Sequence, residues 1–187
     1  MKRALVIAAM CVVLSAQGHS AQLEGVTLPD TQSVGSGGEL RLNGIALRTY
    51  SIFHVPIYVA GLYLAHLDSD PDHILRSADV KLLEIRFVHD VAEQPARAAW
   101  REGFDQNCLA PCRLAPEDVE RFLASVPATR KGDRFSILFT GTGAEFAANG
   151  HLIGNITDRR FATAILATFI GPEPPTARLK QELLGRK

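Results

Sequence analysis

Apolar and polar positions alternate along most of this chain, and the changes of period mark out its elements. Gln22–Leu28 reads as a short strand closed by Pro29-Asp30, and Ser33–Gly38 as a flexible turn. Leu40–Leu42 and the run from Ile45 flank Asn43-Gly44, a pair with strong hairpin chemistry, so the pattern predicts a turn there. Ile57–Leu67 and Val80–Val88 read as further strands. Arg134–Thr140, Ala144–Asn149 and His151–Asn155, joined by Gly-rich turns, predict an antiparallel meander after the Lys131-Gly132-Asp133 turn.

Helical period appears in five places. Pro71–Arg76 is a short helix opened by Asp70-Pro71, and Ala92–Asn107 is a longer one. Pro116–Ser125 starts on proline with acidic residues in its first turn. Another helix runs from a Thr157 or Asp158 cap to about Ile170 and stops at Gly171-Pro172. Pro175–Leu184 closes the chain as an amphipathic helix. Strands and helices come in groups rather than in regular alternation. That order predicts an α+β domain, an antiparallel β-sheet with helices packed on one face.

The first residues change the picture of location. Lys2 and Arg3 precede the uncharged apolar run Ala4–Leu14, and Ala16, Gly18, Ser20 and Ala21 offer cleavage points. Residues 1–21 read as a signal peptide and 22–187 as one domain, which predicts a periplasmic or secreted protein. The apolar run is too short to span a bilayer, so no transmembrane segment is expected after cleavage. Met10 stands before Cys11 where a lipid-attachment motif wants a small residue, which argues against lipidation. Charge is balanced at 20 basic and 20 acidic side chains, without a basic block, so nothing points to nucleic acid or an anionic membrane surface as partner.

Cys108 and Cys112 remain after cleavage, in Asn-Cys-Leu-Ala-Pro-Cys. In an oxidising compartment they are candidates for a small disulfide loop, with free thiols as the alternative; a redox pair ranks last, since the spacing is one residue longer than C-x-x-C. No P-loop, nucleophile elbow or dinucleotide fingerprint is present. The histidines beyond the leader, His54, His66, His73, His89 and His151, lie far apart, so neither a metal site nor a Ser-His-Asp triad is supported and no cofactor is expected.

Candidate chemistry gathers in three places. Trp100, Gly103, Phe104 and Asn107 share one helical stripe, and Phe161, Ala164, Ile165 and Thr168 share another. Asn107 is either a helix cap or a donor turned into a cavity, and the plain reading of Thr168 is a hydroxyl bonded back one turn. Arg48 sits inside an apolar strand and must reach solvent or find an anion. An antiparallel hairpin centred on Phe53 would place Arg48 opposite Tyr58, a pairing suited to a carboxylate or phenolate. A surface Arg–Tyr pair is the plainer alternative.

Leu42-Asn43-Gly44-Ile45-Ala46-Leu47-Arg48, followed by Tyr58-Val59-Ala60-Gly61-Leu62-Tyr63-Leu64, resembles the opening of the chalcone–flavanone isomerase superfamily. The likeness continues in order through Trp100–Cys108, Val119–Val126, Lys131–Thr140 and Ala164–Gly171 to the last helix. It is closest to the exported bacterial chalcone-isomerase-like branch. The resemblance implies the chalcone isomerase fold, with Arg48 at the position of the active-site arginine, Asn107 at that of an active-site asparagine, and Thr168 near a position that contacts a substrate hydroxyl. Two departures weaken catalysis. Tyr58 stands where the isomerases have threonine, and Trp100 where they have a water-holding tyrosine; indole has one donor and no acceptor. The non-catalytic branch of the superfamily binds fatty acids, its arginine and tyrosine holding the carboxylate, and Arg48–Tyr58 is similar to that pair.

The reading is therefore a protein that binds a small amphipathic carboxylate, a fatty acid, without catalysis. Arg48 and Tyr58 are expected to anchor the head group, with Trp100, Phe104, Asn107, Phe161, Ile165 and Thr168 around the ligand. One alternative is an isomerase-type intramolecular lyase acting on a phenolic enone through Arg48, Asn107 and Thr168. A structural or assembly protein that holds no ligand is the other.

Overall fold

The computed structural model describes residues 20–35, 38–108 and 114–186. Seven strands run in sequence order through one antiparallel sheet: β3 (Thr31–Ser33), β4 (Glu39–Tyr50), β5 (Val55–Leu64), β6 (Lys81–Phe87), β7 (Arg134–Phe139), β8 (Ala144–Ala148) and β9 (His151–Ile156). β1 (Ser20–Leu23) and β2 (Val26–Pro29) form a separate hairpin. The helices are α1 (Pro71–Arg76), α2 (Glu93–Asn107), α3 (Pro116–Ser125), α4 (Arg159–Ile170) and α5 (Ala177–Leu183). The α+β class expected from the order of elements is the one observed.

All five helices contribute to a single core on one side of the sheet. Ile74, Phe104, Phe122, Phe161 and Leu183, one from each helix, join Leu62, Leu83, Ile85, Ile137 and Phe146 from the strands. α4 lies deepest. Its Phe-Ala-Thr-Ala-Ile-Leu-Ala-Thr-Phe-Ile run is apolar nearly all round, and nine of its residues, from Phe161 to Ile170, are buried. Asp158 caps it, the carboxylate accepting from the Arg160 amide at 2.8 Å.

The opposite face holds a smaller core of Leu40, Tyr63 and Leu82. The β1–β2 hairpin lies over it. Gly61 allows that approach, since a Cβ there would stand 2.5 Å from the Leu28 side chain. The Tyr63 hydroxyl donates to the Pro29 carbonyl at 3.0 Å. On the same face Glu84 is fully buried. It accepts from Arg86 Nε at 2.8 Å, Arg134 Nη2 at 3.0 Å and Gln32 Nε2 at 3.1 Å. Such a carboxylate is tolerable only because every contact is a charge-assisted or polar donor.

Two sequence expectations are corrected. Gln22–Leu28 is not one strand: Leu23 pairs with Val26 around a two-residue loop, Glu24-Gly25, whose φ angles are 49° and 74°. Positive φ at both positions is what a primed hairpin turn requires. Nor does the chain turn at Asn43-Gly44. β4 runs straight through, and the pairing with β5 shifts register between Leu42 and Gly44, the signature of a bulge. The dipeptide serves α5 instead. Asn43 Nδ2 donates to the Leu183 carbonyl at 2.9 Å and its Oδ1 accepts from the Asp68 amide at 2.8 Å. A Cβ on Gly44 would fall 2.0 Å from the Glu182 carbonyl oxygen, so only glycine lets α5 settle there.

The real reversal is at residues 51–54, where Ser51 and His54 adopt φ of 64° and 52° and the His54 amide donates to the Ser51 carbonyl at 3.1 Å.

Candidate functional site

β4 and β5 pair so that Arg48 stands directly opposite Tyr58, the register a hairpin centred on Phe53 requires. Ala46 and Ala60, each two residues further from the turn, belong to the helix-side core, so Arg48 and Tyr58 project from that same face. A second register shift follows Arg48 immediately, between it and Thr49. Bulges re-aim side chains, and this one falls where the sheet meets a cavity of about 860 Å³. The space lies between the Arg48 end of β4–β6, the exposed side of α2, residues 126–129 after α3, and the segment 173–175 after α4.

Its lining is mainly apolar: Val55, Ile57, Ile85, Phe87, Trp100, Val126 and Phe135 among others. The carboxylates at its margin, Asp90, Glu102 and Glu173, belong to exposed residues, whereas Arg48 is half-buried. Arg48 Nη1 donates to the Thr49 carbonyl at 2.7 Å and the Pro175 carbonyl at 3.1 Å. Among the described residues no carboxylate pairs with it. Most of its N–H groups therefore remain for an anion, in surroundings that favour neutralising the charge.

Tyr58 packs edge-on against Phe87, ring centroids 5.8 Å apart. Burial pushes its phenol up to about 12, with the Arg48 guanidinium pulling the other way. The hydroxyl is thus protonated and able to donate, and among the described residues it has no hydrogen-bond partner. Burial, reinforced by the Glu84 carboxylate, likewise pushes Tyr63 up to about 12. Unfolded tyrosine ionises near 10, so alkali acts first on the unfolded chain. Stability is expected to hold below about pH 10 and to fall between about 10 and 12, while tyrosinate absorbance shows both side chains protonated until the fold opens. Ionisation of both near 10 in the folded protein would refute this.

The other expected site residues divide. Trp100 lines the cavity, stacks on Phe104 at 6.0 Å and meets Phe122 and Phe169 edge-on at 5.0 and 5.5 Å. Phe104, Phe161 and Ile165 stand outside the lining, one layer behind it. They are 3%, 1% and 0% exposed, and Phe104 stacks on Phe161 at 5.5 Å. Thr168 borders the cavity, but its hydroxyl donates to the Ile165 carbonyl at 2.7 Å. Gly103 faces it so closely that a Cβ there would lie 3.0 Å from the threonine Cβ.

Asn107 is neither the helix cap nor a donor into the cavity. Its Nδ2 donates to the carbonyls of Gly103 and Glu173 at 3.0 and 2.7 Å, and its Oδ1 accepts from the Glu173 amide at 3.0 Å. It ties α2 to the segment that carries the Pro175 carbonyl over Arg48. Cys108, the residue that does cap α2, is disulfide-bonded. Cys112 lies outside the described residues.

Sequence reasoning missed the segment 171–175. Three prolines in Gly-Pro-Glu-Pro-Pro signal a stiff connection, but their pattern suggests only a helix stop at Gly171-Pro172 and a helix start at Pro175.

Residues 20–185 match the sequence profile of a family described as chalcone isomerase-like. The fold is similar to the crystal structure of a fatty-acid binding protein from Arabidopsis thaliana, with a TM-score of 0.72 and 17% identity. The superposition covers 89% of this chain and 96% of that one. No curated protein sequence matches the chain.

Proposed function

The chain belongs to the chalcone isomerase-like family, and from that premise we propose that it binds a small amphipathic carboxylate, a fatty acid, in the cavity beside Arg48 without converting it. The observation that carries this reading is a half-buried arginine that has no carboxylate partner among the described residues and borders a mainly apolar cavity. Tyr58, opposite it, offers an unengaged phenol donor. The likeness in fold to a fatty-acid binding protein supports the same ligand class. A volume of about 860 Å³ lies within the range of small-ligand pockets, and its largely hydrocarbon walls suit an acyl chain better than a polar substrate.

Ring closure of a phenolic enone draws on charge stabilisation and orientation. Arg48 supplies the first, but the Asn107 amide and the Thr168 hydroxyl are already engaged with backbone groups. Trp100 is a donor only.

The protein is further proposed to be exported, on the basic and then apolar residues at its start. Ser20 and Ala21 pair with Pro29 and Leu28 in β1–β2, so a cut at Ala16 or Gly18 keeps a hairpin that a cut after Ala21 would halve.

Solvent extraction of the purified protein, followed by mass spectrometry, tests the ligand. Acyl carboxylates are expected in the extract. Added fatty acid at about 100 times Kd should raise the melting temperature by roughly 5–10 °C. An extract without acyl chains, together with no thermal shift, overturns the reading. Chalcone loss faster with wild type than with the Arg48→Ala variant would favour the isomerase instead. The intact mass of the same sample bears on export: loss of the leader supports it, and retention of the whole leader contradicts it.

A further inference from the structure

The turn between β4 and β5 is the most hydrophobic exposed feature among the described residues. Ile52 and Phe53 are 84% and 81% exposed, and Tyr50 beside them is 65% exposed. Soluble surfaces scatter such residues singly; three within four positions on one tip form a patch. The hairpin also overhangs the sheet. The last bond from β5 toward its next neighbour runs from the Val88 amide to the Ile57 carbonyl at 2.9 Å, and beyond it residues 49–56 pair only with each other.

Two observations tie the tip to the cavity. Tyr50 and Val55, at its base, are part of the cavity lining, so the exposed patch and the cavity wall are one continuous apolar surface. Arg48 lies two residues behind Tyr50 on the same strand. The charge pattern is equally specific: residues 49–56 contain no carboxylate, lysine or arginine, and His54 is the one side chain among them that can carry a positive charge. A tip of this kind does not dock through ion pairs. It suits a lipid bilayer, whose interior accepts isoleucine and phenylalanine without shape matching and whose interface accepts tyrosine.

We propose that this tip inserts into the surface of a phospholipid bilayer and passes the fatty acid directly between bilayer and cavity. The inference rests on the fatty-acid reading above. Insertion to the depth of Tyr50 would bring Arg48 and the cavity mouth to the headgroup level, where the carboxylate of a membrane-dissolved fatty acid resides. The acyl chain could then exchange without crossing water, the step that would otherwise limit transfer.

The test is the transfer rate of a fluorescent fatty acid from the purified protein to phosphatidylcholine vesicles, at increasing vesicle concentration. Wild type is expected to transfer faster in proportion to vesicle concentration. The double variant Ile52→Ser, Phe53→Ser should be roughly a hundredfold slower and nearly independent of vesicles, since each of the two buried apolar side chains contributes about a tenfold factor. Its equilibrium affinity for the probe and its melting temperature should be unchanged. A wild-type rate that ignores vesicle concentration, or a variant equal to wild type, overturns membrane transfer while leaving fatty-acid binding standing. A patch that instead joins two copies would appear in sedimentation as a dimer lost in the variant, and would also overturn it. Should the probe not bind at all, the fatty-acid reading fails; co-flotation with vesicles, lost in the variant, would still support insertion, and absence of co-flotation would end it.

Discussion

Arg48→Gln is expected to weaken fatty-acid binding by roughly 10- to 100-fold. A hydrogen bond to a charged group contributes about 1.5–3 kcal/mol, and each 1.4 kcal/mol is about a factor of ten in Kd. Glutamine keeps a polar side chain but removes the charge that the half-buried site holds ready for an anion. The fold should tolerate the change, because the bonds Arg48 makes are to the Thr49 and Pro175 carbonyls at the margin of the cavity. The prediction is therefore a loss of affinity with little loss of melting temperature. Equal affinities measured by titration would remove Arg48 from the site.

The largest expected effect on stability lies on the other face of the sheet. Glu84→Ala is expected to destabilise the protein by about 3 kcal/mol, toward the low end of what breaking a buried ion pair costs. Glu84 is fully buried, and its two guanidinium partners sit directly opposite each other, Arg86 across from Arg134. Without the carboxylate two like charges face one another over the small core, and Gln32 loses its acceptor. Arg86 and Arg134 keep about a third of their side-chain surface in water, 33% and 35%, which relieves part of the cost. Urea unfolding gives the difference directly. A loss under about 1 kcal/mol would mean that solvent already screens the network. The pair is not required for net stability in principle, since a well-packed apolar replacement of all three can be neutral.

How far the chain discloses its fold depends on whether local chemistry and tertiary packing agree. They agree at α1 and α3, where Pro71 and Pro116 mark the first turn and the observed ends coincide with those read from the pattern. They agree again in the Arg48–Tyr58 register, because alternation pins which residues share a face. They part at Asn43-Gly44. Its composition favours a turn, but the close approach of α5 claims the same glycine and asparagine, and a packing demand of that kind leaves no periodic trace.

The candidate site shows the same division. A helical stripe identifies residues that face inward, yet it does not separate the wall of a cavity from the core behind it. Trp100 and Phe104 share a stripe on α2; Trp100 borders the cavity and Phe104 is packed between Phe122 and Phe161. The difference is about one side chain of depth, which depends on how α3 and α4 seat rather than on residue type. Asn107 was legible as polar and inward. Its partner, the Glu173 backbone, is 66 residues away and carries no signal of its own.

Trp100 is the only tryptophan in the chain and it borders the cavity, so intrinsic fluorescence reports occupancy without a label. Titrating the purified protein with a long-chain fatty acid is the most direct test of the account. Binding beside Arg48 predicts a saturable change in Trp100 emission for wild type and a midpoint shifted roughly 10- to 100-fold higher for the Arg48→Gln variant. Emission that does not respond to fatty acid, or that responds identically in the two proteins, would contradict it.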